Sequence, residues 1–489
     1  MYIYIIPALI AVLIITVLVR AYAFKNGTNA ENPGEIEVDE AEAESAQKLS
    51  EAIRLKTVSH IEASLTDWDE FREFHALLER LFPNIHAACE KTVIQDYSLV
   101  FRWKGANPSM KPGLITAHMD VVPVEKGTEA DWEHPPFSGD IAEGFVWGRG
   151  ALDTKIHLIA SLEAAEQLIG EGFVPDRDIY FAFGHDEEIG GQNGAQNIAK
   201  HFREMDIEFE YLLDEGGCIT EGVVGEIARP LAMIGIGEKG FNNIKLTFKG
   251  EGGHSSMPPR HSALGLAALA ISRLEKRQFR LRLIKPFRMF LMKTGPEMGF
   301  VNRLVLANLW LFEPLFLKVF SKSRSGNAML RTTTAATMAE GSIAPNVLPQ
   351  KASVVVNFRI LPGETVEDLL EHIKKALGDI EAEIEPLILE NPSTVSSCDS
   401  EAYKSIAAIT GQLCGDAIVV PYIVLAGTDA RKYESVCRNI YRFTPYRINS
   451  RDMDRIHSTN ERISLKNVNM CVEFFRAFFS RRDSERVSS

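Results

Sequence analysis

Gly113-Leu-Ile-Thr-Ala-His118-Met-Asp120-Val-Val-Pro123 is a small, apolar run that ends in a histidine and an acid two residues apart. A buried strand reads this way where it reaches the carboxyl edge of an α/β sheet, and ligands of open sheets gather just beyond that edge. Two further runs end alike: 179–183 leads into His185-Asp186-Glu187-Glu188, and 211–213 into Asp214-Glu215. A helical stretch, 155–169, lies between the first two. The alternation predicts an α/β catalytic domain with a mixed sheet flanked by helices, and all three strands should carry their polar ends to one place.

At 489 residues and 45% hydrophobic, the chain is expected to form two domains or more. Its 66 acidic against 53 basic residues leave a net charge of −13, which argues against nucleic acid as a partner. The cysteines at 89, 218, 398, 414, 437 and 471 show neither a Cys-x-x-Cys pair nor a dense framework, so they should be free and mostly buried. Residues 1–24 are a membrane anchor or a signal segment. Met1 to Val19 is almost wholly apolar and reaches the spanning length, whereas a signal core is usually about 7–15 residues. Ala21-Tyr22-Ala23 nevertheless has the form of a cleavage site. The protein is therefore expected to be membrane-anchored by one N-terminal segment, or secreted if that segment is cleaved.

Residues 25–44 read as an acidic linker, 45–232 as the first part of the catalytic domain and 392–480 as its second part, with a polar tail at 481–489. Between the two parts, the texture from Met233 predicts an inserted smaller α+β domain over 233–391, with strands near 243–249 and 352–360 and helices at 263–276 and 366–377. Inside it, 279–320 mixes Arg280, Arg282, Lys285, Arg288 and Lys293 with Phe, Leu, Ile and Met. Three readings compete there: core helices of the insert, a lid over an apolar substrate, or contact with a membrane surface. Pro286, Pro296 and Pro314 exclude one long spanning helix.

The chemistry lies in five clusters: His118-Met-Asp120, Asp153, the Glu187-Glu188 pair, Asp214-Glu215 and the late His457. Hard divalent ions take carboxylate oxygens and zinc also takes neutral imidazole, so such a set can hold two ions about 3.5–4 Å apart. Asp120 is placed to orient His118. Asp153 follows Gly148-Arg-Gly and reads either as a helix N-cap or as a ligand at a helix start. Of two adjacent acids, one can bind metal while the other stays free as a general base. Asp214 is favoured over Glu215 as a ligand. His457 is the only histidine after His372.

The order His-x-Asp, Gly-Arg-Gly-x-x-Asp, Glu-Glu, Asp-Glu-Gly, Gly-Gly-His-Ser-Ser-x-Pro and a late Ile-His-Ser resembles the aminoacylase/carboxypeptidase family of co-catalytic zinc metallopeptidases over roughly 45–480. The stretch Asp120-Val-Val-Pro-Val124 with Trp132 and Pro135-Pro-Phe-Ser-Gly139 is most similar to the carboxypeptidase S branch, which includes enzymes that hydrolyse, and can form, N-fatty-acyl amino acids. The resemblance implies a two-domain metallopeptidase whose insert is of the lid or dimerisation type, so a homodimer is possible. It implies that His118, Asp153 and Asp214 hold one zinc and Asp153, Glu188 and His457 the other. Glu187 would be the base, Asp120 the orienter of His118, and His254 the group that steadies the oxyanion, in some members from a partner subunit. Asn346, Arg359 and Thr428 of the Gly427–Arg431 loop resemble groups near the substrate carboxylate.

The expectation is metal-assisted amide hydrolysis, with Glu187 moving the proton from water to the leaving amine. The substrate would be a short peptide or an N-acyl amino acid with a free carboxylate. Cobalt or manganese would also suit the donor set. A non-catalytic metal-dependent binding protein of the same fold, or an aminopeptidase or deacetylase of small metabolites, are the alternatives.

Overall fold

The three apolar runs lie side by side inside a 10-stranded sheet. In this computed structural model, Gly113–His118 pairs in parallel with Ile179–Gly184 on one side and with Tyr211–Asp214 on the other. Every residue of the three strands is buried, because helices cover both faces of the sheet, and this is why the strands read as continuous apolar runs rather than as alternation. Antiparallel strands at one edge, Glu90–Ile94 and Ser98–Trp103, make the sheet mixed. The helix Lys155–Gly170 is buried over most of its length, clasped between the sheet and the C-terminal helix Leu465–Ser480. The structure describes residues 4–26, 43–223, 225 and 227–481; the expected linker lies largely outside them, as does the tail from 482 onward.

After Leu231–Glu238 the chain leaves the large sheet, and it returns as Ile418–Val424, which pairs in parallel with that same strand. The excursion builds a 4-stranded antiparallel sheet in the order Thr333–Glu340, Lys351–Ile360, Gly240–Lys249, Glu383–Ile388. Gly240–Lys249 alternates strictly, and Ile244, Leu246 and Phe248 point into a core closed by the helices Ala263–Lys276 and Val366–Leu377. Both helices start on side-chain caps: Ser262 accepts from the Gly265 amide, and Thr365 with Asp368 forms a capping box. The switch between sheets falls at Lys239 rather than at Met233. Met233 belongs to a large-sheet strand, and its apolar neighbours gave no hint of where the sheet changes.

The segment 279–320 departs from the first of its three readings, as core helices of the insert. Its helices Lys285–Thr294 and Phe300–Ala307 do not enter the core of the small domain. Phe287, Phe290, Leu291 and Leu306 cluster with Ile227, Leu231, Met233 and Val420, so the segment packs on the large sheet beside the returning strand. All six cysteines are free, and all but Cys398 are buried.

Candidate active site

The carboxyl ends of the buried strands converge on Asp153. His118 Nε2 lies 3.1 Å from Asp153 Oδ1, and His457 Nε2 lies 3.0 Å from Asp153 Oδ2 and 3.3 Å from Glu188 Oε2. Two sets of donor atoms fall within 4.8 Å of one another: His118, Asp153 and Glu215, and Asp153, Glu188 and His457. Asp153 is common to both. It does not cap the following helix, whose N-cap is Thr154.

Glu215, not Asp214, reaches the first set. The strand ends at Asp214, which stays within the sheet layer opposite Arg442 of the neighbouring strand. Glu215 is the first residue past the strand, followed by Gly216 with a positive φ of 112°, and its longer side chain extends beyond the sheet edge. Burial among other acids raises the Asp214 carboxyl to about 6 despite Arg442.

Asp120 does more than orient its neighbour. His118 Nδ1 is 2.9 Å from the main-chain oxygen of Asp120 and 3.4 Å from its carboxylate. That carboxylate accepts from Ser59 Oγ at 2.6 Å and from the amides of Glu187 and Glu188 at 3.1 and 3.2 Å. It therefore pins the turn carrying the paired glutamates to the histidine strand.

Sequence reasoning missed a second pin, Glu461. Fully buried, it accepts from the amides of Gly150, Leu152 and Asp153 and pairs with Arg149 Nη1 at 2.7 Å. It thus fixes the loop that presents Asp153, and it stands four residues after His457. The only signal in the chain is that short spacing.

Charge within the cluster is arranged for cations. Burial raises the carboxyls of Glu187 and Glu215 well above the ordinary range, and neighbouring acids add to this; Glu188 is raised for the same reasons. Asp153 is also buried, yet its bonds to His118 and His457 win and hold it low. His457 is raised to about 10 by Asp153 and then Glu188, and His118 is raised against its own burial by Asp120 and Asp153. The protons on these imidazoles compensate the acids as divalent ions would. Glu188 Oε1 is buried without a hydrogen bond, a lone pair free for a ligand. The donor set therefore fits a pair of metal ions.

The remaining expected residues lie apart from the cluster. His254 and Asn346 meet on a small ribbon of the insert, where Gly253–His254 pairs with Val347–Leu348 and the Ser255 amide donates to the Asn346 carbonyl at 3.1 Å. Both side chains are exposed. Arg359 is half-buried over the Phe241 ring, 4.3 Å from its centroid. Thr428 is already occupied: its hydroxyl donates to Glu238 Oε1 at 2.6 Å, in a buried network that also takes Arg431 and Arg442. Its one proton is thus spent on Glu238, and its oxygen also accepts from the Ala430 amide at 3.3 Å.

Fold and site together define a metal-dependent hydrolase of amide bonds. Residues 114–481 match the model of Peptidase family M20/M25/M40, and the chain belongs to that family. It is 40% identical over 444 residues to a probable carboxypeptidase S-like 2 of Dictyostelium discoideum, covering 89% of this chain and 84% of that one. It is 33% identical over 486 residues to the N-fatty-acyl-amino acid synthase/hydrolase PM20D1 of Xenopus tropicalis, covering 98% and 94%. An M20 family metallo-carboxypeptidase from Sulfolobus solfataricus shares the fold, with a TM-score of 0.67 at 19% identity over 89% of this chain and 98% of that one.

Proposed function

We propose that the protein releases a C-terminal amino acid from N-acyl amino acids with apolar acyl groups, or from short hydrophobic peptides. The observation that carries the substrate class is Arg359, a half-buried guanidinium that makes no ion pair among the described residues; it stands near Lys239 and Arg431, and Glu390, the acid that acts on it, is already paired with Arg431 and Lys432. A cation whose neighbouring acid is already shared by two other cations suits a substrate carboxylate. The apolar acyl side is supported by the relatives.

His118, Asp153 and Glu215 would hold one ion and Asp153, Glu188 and His457 the other, with zinc the metal that best fits a mixed imidazole and carboxylate set and cobalt or manganese also able to bind. Bound there, the ions would polarise the scissile carbonyl and acidify a water. Glu187, kept basic by burial among acids and unclaimed by either donor set, takes the proton from water and returns it to the leaving amine. Asp120 holds Glu187 in place through its backbone amide. His254 meets the oxyanion when the ribbon closes, or from the partner of a homodimer. The apolar helix Ile5–Asn26 anchors the chain in a membrane.

The test is metal content and hydrolysis of the full chain in detergent, with long-chain N-acyl amino acids beside blocked dipeptides, with and without a chelator. About two ions per chain and chelator-sensitive release of a free amino acid are expected. Metal without release from either substrate would sink the reading. In the same assay Glu215→Gln should cost one ion, whereas Asp214→Asn should keep both.

A further inference from the structure

The helix Leu309–Phe320 has an apolar sequence, Leu-Trp-Leu-Phe-Glu-Pro-Leu-Phe-Leu-Lys-Val-Phe, and buries only Leu309. Trp310, Leu311, Leu315 and Val319 are exposed, at 59%, 39%, 54% and 56%. Leu311, Leu315 and Val319 recur every four residues and so form one stripe along the helix. Phe300 and Val301, at the start of the preceding helix Phe300–Ala307, are exposed as well. An outward apolar surface of this kind marks a contact with something beyond the described residues.

What covers it is indicated by the N-terminal helix. Ile5–Asn26 exposes almost every side chain of its first half, and its second half docks on this same elbow. Val17 and Ala21 are buried there, Arg20 Nε donates to the Ala307 carbonyl at 3.1 Å, and Asn308 Nδ2 donates to the Val17 carbonyl at 3.0 Å. Phe24 packs against Gly295, where an added Cβ would stand 2.6 Å from the ring.

Depth then follows from length. A hydrocarbon core about 30 Å thick takes about 20 helical residues at about 1.5 Å each. The span long and apolar enough to cross is Ile5–Lys25, 21 residues, so the contacts at Val17 and Arg20 fall in its second half. The elbow bonded to Val17 and Arg20 must then lie at or below the headgroup level of the same bilayer. Its chemistry suits that depth. Trp310 is the residue type enriched at the interface, and Lys318, Lys322 and Arg324, all exposed, follow on the side where anionic headgroups would lie.

We propose that the elbow Phe300–Phe320 is a membrane-seated platform, sunk into the interfacial layer of the bilayer that the N-terminal helix enters. This rests on the anchor reading of that helix. The platform places the catalytic domain against the lipid surface.

Two measurements separate the platform from the anchor. Alkaline carbonate washing of membranes carrying the full chain, followed by N-terminal sequencing, reports on the anchor: retention with residues 1–23 present supports it, and release of a chain beginning after Ala23 removes it. Trp310 reports on the platform. The full chain is reconstituted in phosphatidylcholine vesicles containing phosphatidylserine, with bromines at defined acyl positions, and the fluorescence of Trp310→Phe is subtracted. Quenching of the difference signal by bromines near the headgroup end, and protection from aqueous iodide, are the expected results. A signal quenched by iodide and untouched by bromines, in a chain that resists carbonate, would overturn the platform and leave the anchor standing. The paired substitution Leu315→Glu and Val319→Glu should abolish the lipid quenching at Trp310. It should leave hydrolysis of a short, soluble N-acyl amino acid unchanged, because neither residue touches the catalytic cluster.

Discussion

The carboxylate cluster and the His254–Asn346 ribbon are both polar, and the fold treats them in opposite ways. In the cluster, the Asp120 carboxylate holds the turn of Glu187 and Glu188 by two amides, and Glu461 holds the Asp153 loop by three. On the ribbon, the only described partner of the His254 ring is nearby Ser256, at 2.8 Å for the hydroxyl, and both faces meet solvent. The difference teaches that groups meant to bear charge together are fixed before substrate arrives, because acids at such separations tolerate no error in position. If the ribbon meets the substrate as proposed, its groups are left free to approach it.

Removing the base should break the cluster's chemistry without touching its architecture. Glu187→Gln is expected to lower kcat by about 10²–10⁴-fold while metal content stays at that of the parent chain. Near-normal turnover would mean that another group moves the proton.

The ribbon should fail differently. His254→Ala is expected to cost about 10²–10³-fold in kcat, the scale of one lost oxyanion donor, with metal content and thermal stability unchanged because the side chain is exposed and bonds only to nearby Ser256 among the described residues. A loss of stability equal to that of a core substitution would show that the ribbon is structural, and the contrast with the cluster would disappear.

Glu461 sharpens the contrast from the other side, since it belongs to neither donor set and is bound to the Asp153 loop and Arg149. Glu461→Gln keeps the shape but replaces one acceptor oxygen with a donor facing amide N–H groups or Arg149. Metal affinity, read by competition with a chelator, should fall by about 10–100-fold, the usual cost of losing a group that orients ligands. Excess metal should restore most of kcat. If metal did not rescue activity, Glu461 would be supporting the fold rather than the site.

How far the sequence could be read follows the same division. The strands Gly113–His118, Ile179–Gly184 and Tyr211–Asp214 are buried on both faces, so local composition was enough to find them, and the acids at their ends had nowhere to point but the sheet edge. The choice between Asp214 and Glu215 depended on the one residue at which pleating stops, and apolar patterning does not resolve that. Glu461 bonds to an amide 308 residues away, which no local pattern reports. The stretch 279–320 declared itself apolar, but composition does not say which surface will cover a helix. Its packing on the large sheet and on the N-terminal helix had to be seen.

Arg359 tests whether recognition is separate from chemistry. Its guanidinium lies over the Phe241 ring and makes no ion pair among the described residues, so it can offer two parallel N–H donors to a carboxylate. Lysine at this position keeps the charge and loses the fork. Arg359→Lys should therefore raise KM about tenfold, a loss of about 1.4 kcal/mol, and leave kcat within about twofold. A substrate whose C-terminal carboxylate is amidated supplies the control, because it has nothing for the fork to grip and should be hydrolysed equally poorly by both chains. A mere packing defect would lower activity on the acid and the amide by the same factor. Only loss of a carboxylate contact penalises the acid alone, so the ratio of the two substrates decides the role of Arg359.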